Sequence, residues 1–119
     1  MPPQLVTYNA ASGQLDVEIY VGNLVYAHYL IKGTIPPNPS TTILSGSNLH
    51  PATASFTPTN NQGVSWECVI NRLPNGDPGW ILTATIRQGG KTLYSAPYKG
   101  QFTDDTSDQI SGGVLLVAQ

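Results

Sequence analysis

The segment Leu73-Pro74-Asn75-Gly76-Asp77-Pro78-Gly79-Trp80 brings an amide, a carboxylate and an indole close together in the chain. A sugar is gripped by a planar aromatic against its C–H face and by amides or carboxylates on its hydroxyls. Asn75, Asp77 and Trp80 therefore form a candidate ligand-binding trio. The same residues also read as turn chemistry, since Asn-Gly and Asp-Pro-Gly turn without any ligand, with Trp80 as the first core residue of the strand that follows. Tyrosine is plentiful, and Tyr94 and Tyr98 add rigid, amphipathic contact area to the candidate site. On a straight strand both fall on the face opposite Leu93. Pro97 marks that strand as an edge or as bulged, which leaves the pair near solvent. Cross-strand packing, such as Tyr94 beside Thr83 or Thr85, is the alternative reading.

The run Asp104-Asp105-Thr106-Ser107-Asp108-Gln109 concentrates carboxylates and hydroxyls. Hard cations such as Ca²⁺ take several oxygens at once, so Asp104, Asp105 and Asp108 are candidate metal ligands. The run lacks the Asp-x-Asp-x-Asp-Gly order of an EF-hand loop, and a solvated turn or a strand-start cap explains it equally. Catalysis finds no comparable set. His28 alternates within an apolar run and His50 precedes Pro51, and neither stands in a metal-binding pair or beside a nucleophile-elbow spacing. Cys68, the single cysteine, reads as a small buried residue. The expectation is a protein that is not an enzyme.

These residues need strands to position them. Val64, Trp66, Cys68 and Ile70 recur at every second position, as do Trp80, Leu82, Ala84 and Ile86 with Thr83, Thr85 and Arg87 outward, so each set occupies one face of a strand. Gly89-Gly90 then supplies the positive φ of a two-residue hairpin turn into Lys91 to Ala96. Together they read as an antiparallel meander over Val64 to Thr103. A second hairpin is expected upstream, with Leu15, Val17, Ile19 and Val21 inward, Gly22-Asn23 as its turn and Leu24 to Ile31 returning. That returning strand is apolar on both faces, which places it either at the centre of covered layers or at a subunit contact. Leu5 to Tyr8, Thr42 to Leu44, Ala52 to Thr57 and Val114 to Val117 complete the set, with Pro36 to Pro39 as a stiff extended loop.

Eight or nine short strands without a helical period indicate an all-β fold in a single domain spanning residues 1–119. The architecture expected is an antiparallel β-sandwich, with a barrel as the alternative. Charged residues make up 10% of the chain against about 25% in ordinary soluble proteins, and the five Lys and Arg residues are dispersed. Nucleic-acid binding through counterion release is thereby excluded as an expectation. No run approaches the ~18 apolar residues of a membrane helix. The segment Met1-Pro2-Pro3-Gln4 shows no basic region leading into an apolar stretch, so no signal peptide is read and a cytoplasmic or non-classically exported protein is expected. The function expected is a non-catalytic, lectin-like module for a glycan or another polar ligand, without a cofactor unless Ca²⁺ binds the acidic run. The alternative is a structural, self-assembling sandwich that forms homo-oligomers through its apolar strand, helped by low surface charge.

Overall fold

A computed structural model describes residues 4–22, 25–47, 53–72, 79–102 and 107–119. Alternation dictates its elements. They are β1 (Gln4–Tyr8), β2 (Leu15–Gly22), β3 (Val25–Thr34), β4 (Thr41–Ser47), β5 (Thr53–Phe56), β6 (Gly63–Arg72), β7 (Gly79–Gln88), β8 (Lys91–Gln101) and β9 (Ser107–Ala118). They form a five-stranded sheet in the order β1-β9-β6-β3-β4 and a four-stranded sheet in the order β5-β2-β7-β8. Both sheets keep two free edges, so the layers stack as a sandwich and do not close into a barrel. Every strand pair is antiparallel except β1 with β9, which runs parallel.

The inward faces are those the alternation predicts. Leu15, Val17 and Ile19 from β2 and Leu82, Ala84 and Ile86 from β7 meet Val64, Trp66, Cys68 and Ile70 from β6 across the interlayer space, all buried. Removing such surfaces from water contributes about 25 cal/mol per Å² and drives the stacking. The Gly89-Gly90 turn also forms as expected. Gln88 pairs with Lys91 across it, and both glycines hold positive φ, 58° and 82°.

Connectivity departs from the expected hairpins in two places. β2 and β3 lie in different sheets, so the Gly22-Asn23 hairpin is replaced by a crossing between layers; Asn23 and Leu24 themselves lie outside the described residues. The meander is likewise broken, because β6 belongs to the five-stranded sheet and only β7 and β8 form a hairpin. The physical reason is common to both. Alternation records which side of a strand faces the core, and that record is identical for the two sheets that share the core. Pro36 to Pro39 is a tight turn and not an extended loop: the Pro36-Pro37 peptide is cis, and the Asn38 amide donates to the Ile35 carbonyl at 2.8 Å. The last strand begins well before the expected Val114 and runs through the Gly112-Gly113 pair.

A buried glutamine fixes the start of the fold to the hairpin. Gln88 Oε1 accepts from the Asn9 amide at 2.9 Å, while its Nε2 donates to the carbonyls of Asn9 at 2.8 Å and Gly13 at 3.2 Å. Its polar atoms are thus matched inside the protein, as burial requires.

Candidate functional site

Trp80 stands at the start of β7, in register with Gly100 of β8, and its side chain turns into the core. The residue is 4% exposed, and its indole lies so close over Gly100 that a β-carbon there would stand 2.6 Å from Cζ2. It therefore offers no ring face at the surface for a sugar to stack on. Its Nε1 is buried without a hydrogen-bond partner. Asn75 and Asp77 lie outside the described residues, as do Asp104, Asp105 and His50. Asp108 is half-buried near the start of β9 and its carboxylate accepts from the Gln109 amide at 2.8 Å. Among the described residues no three His, Cys, Asp or Glu side chains gather as a metal site would need.

Tyr94 and Tyr98 are brought together, but on the inner face of β8. A bulge between the Arg87–Thr92 and Ile86–Tyr94 pairs adds Leu93 to the strand, so Thr92 points outward with Arg87 and Tyr94 points inward with Ile86. Tyr98 pairs with Leu82 and also faces in. Both tyrosines remain half-buried because β8 is an edge strand. Trp66 Nε1 donates to the Tyr98 hydroxyl at 3.1 Å, and the Trp66 and Tyr94 rings stand 6.0 Å apart at 43°. Burial, and then the neighbouring Tyr98 phenol, push the Tyr94 hydroxyl above the usual tyrosine range. Gly112 of β9 leaves room for this cluster, since a β-carbon there would fall 2.7 Å from Trp66 Nε1 and closer still to the Tyr98 hydroxyl. The cluster joins the edge strand β8 of one sheet to the interior strands β6 and β9 of the other.

The outer face of the four-stranded sheet carries a different assembly. Tyr20 projects outward from β2 opposite Thr83 of β7 and is 61% exposed. Its ring leans along the strand over Gly22, whose β-carbon position lies 3.5 Å from Cε1 and 3.8 Å from the hydroxyl oxygen. One side of the ring is supported by the sheet and the other is open to water. Two residues back along β2, Glu18 forms an ion pair of 3.5 Å with Arg87 of β7, and both side chains are partly exposed at 38% and 41%. Two residues further, the Asp16 carboxylate accepts from the Ser55 hydroxyl of β5. Asp16, Glu18, Thr53, Ser55 and Arg87 line a depression of about 350 Å³ beside these groups.

No protein-family model, no curated protein and no solved structure matches this chain. The geometry therefore carries the functional argument. A second, larger depression of about 630 Å³ lies over β6 and β9 where Gly63 and Gly113 lack side chains. Its described lining contains hydroxyls but neither an aromatic ring nor an ionisable group, so it lacks the stacking element that the Tyr20 face has. The alternation that turns Leu15, Val17, Ile19 and Val21 inward leaves Asp16, Glu18 and Tyr20 on the outward face of β2. That the Tyr20 ring lies down over a glycine is not written in the alternation, because it depends on the room Gly22 leaves beside Ile81.

Proposed function

We propose that this protein is a non-catalytic carbohydrate-recognising module that binds through the outer face of its four-stranded sheet. The observation that carries the reading is the supported, solvent-open ring of Tyr20 with the Glu18–Arg87 pair beside it. A pyranose sets its C–H face on such a ring, and hydroxyls of a bound saccharide farther along β2 meet carboxylates that accept and a guanidinium that donates. The rigid sheet holds these groups in place, which limits the ordering cost of binding.

A glycan array probed with the wild-type chain tests the reading. Binding is expected on some arrayed sugar, lost with Tyr20→Ala and kept with Tyr20→Trp, which retains the ring. Silence of the wild type across the array, or binding unaffected by Tyr20→Ala, rejects it. Tyr20 is exposed, so its replacement leaves the core intact.

A second reading, self-assembly, is favoured by one observation on the opposite sheet. β3 sits between β6 and β4 with Ala27, Tyr29 and Ile31 buried, while Tyr26, His28 and Leu30 face outward beside Val69, which is 41% exposed. The Tyr26 and His28 rings meet edge to face at 4.5 Å on that surface. A second copy of the chain covering this face is the assembly that would bury it.

A further inference from the structure

Resting on the carbohydrate reading above, the geometry points to an uncharged oligosaccharide, longer than one sugar, lying along β2 from Tyr20 toward Asp16. Three observations lead there.

The charged partners are displaced from the ring along the strand and not across it. Across the sheet from Tyr20 stand Thr83 and then Pro97, whose side chain neither donates nor accepts. Along the strand, Glu18 and Asp16 follow at about 7 and about 14 Å, at about 3.4 Å per residue. The ring itself leans the other way, over Gly22, which widens the gap to Glu18. A single sugar stacked on Tyr20 lies beyond reach of Arg87 and Asp16, so these groups serve the next units of a chain.

Among the described residues the charges on the face balance. Asp16 and Glu18 on β2 are matched by Arg87 on β7 and by Lys99 of β8, which stands opposite Ile81. Among the described residues no excess of either sign attracts a uronate or sulfated chain, nor a cationic one. The available contacts suit neutral hydroxyls.

The Arg87 guanidinium is held but not consumed. Its contact with Glu18 is a partly exposed pair at 3.5 Å, which leaves donors of the planar fork turned to solvent above the depression at Asp16 and Ser55. It is the group placed to read the second unit.

Calorimetric titration of the full chain tests this with neutral β-linked glucose, xylose, mannose and N-acetylglucosamine series, each from the monosaccharide to the hexasaccharide, and with a galacturonate series of the same lengths. In the series that binds, affinity is expected to rise by about tenfold or more beyond the monosaccharide, the factor one hydrogen bond to a charged group makes, and then to level off. Arg87→Gln is expected to lower the affinity of the longer members by about that factor and to leave the shortest binder unchanged, whereas Tyr20→Ala lowers all of them. A monosaccharide that binds as tightly as its oligomers, a preference for the galacturonates, or longer members indifferent to Arg87→Gln overturns the inference while the carbohydrate reading stands. Silence of every series and of the array overturns both. An unchanged melting temperature for each variant confirms that binding, and not folding, is being read.

Discussion

Cys68 has no exposed surface on the inner face of β6, and burial pushes its thiol from an ordinary value of 9.0 up to about 12. The folded protein therefore keeps its proton where the unfolded chain would release it. Between pH 9 and about 12 the unfolded state gains stability relative to the folded one, so the protection this thiol affords is complete below the unfolded pKa and fades as pH rises toward the folded value. The expected slope is a loss of about 1.4 kcal/mol per pH unit from this group in that window. Denaturant unfolding of the wild type and of Cys68→Ala over alkaline pH checks it, because only the wild type carries that part of the slope. A thiol reagent should likewise label Cys68 only after unfolding. The inward placement of Cys68 was legible from its alternation with Glu67 and Val69, as was the outward placement of Tyr20. The role of Gln88 was not, because its three bonds reach residues 75 and 79 positions away.

Among the elements, β8 departs most from its pattern. Read straight, its tyrosines belong outside; the extra residue at Leu93 turns Tyr94 and Tyr98 inward against Trp66. Pro97 signalled an edge or a bulge, and β8 is both. What the sequence could not convey was the place of the bulge, which decides the facing of everything after it. This inward turn makes Gly112 of β9 a tight position. Gly112→Ala would press a methyl group against the Tyr98 hydroxyl and the Trp66 indole, and should cost about 1–3 kcal/mol in chemical denaturation. In a Tyr98→Phe background the same change should cost less, since the nearest obstructing atom is gone. Equal losses in both backgrounds would show that the strand, and not the aromatic cluster, carries the strain.

For the whole molecule, the two layers extend 48 × 29 × 21 Å with a radius of gyration of 15.0 Å. A compact chain of this length is expected near 13.5 Å, at about 2.2 Å times the 0.38 power of its length, so the sandwich is drawn out along its strands. That shape gives each sheet a broad outer face, and the two faces divide the proposed roles. Val69→Glu should convert any dimer seen by light scattering at high concentration into monomer, because it puts a charge amid Tyr26, His28 and Leu30. It should leave glycan binding at Tyr20 untouched. A chain that is monomeric throughout removes the self-assembly reading. At this scale the layered class was readable from strand count and alternation, whereas the sorting of β2 from β3, and of β6 from β7, depends on pairings distant in sequence that no local pattern records.

The parallel pairing of β1 with β9 sets Gln4 beside Val114 and Tyr8 beside Ala118, so the polypeptide enters β1 at one end of the ribbon and leaves β9 at the other. Tension applied along that axis acts along the strands. The hydrogen bonds of that seam would then be loaded together in shear instead of being peeled one by one.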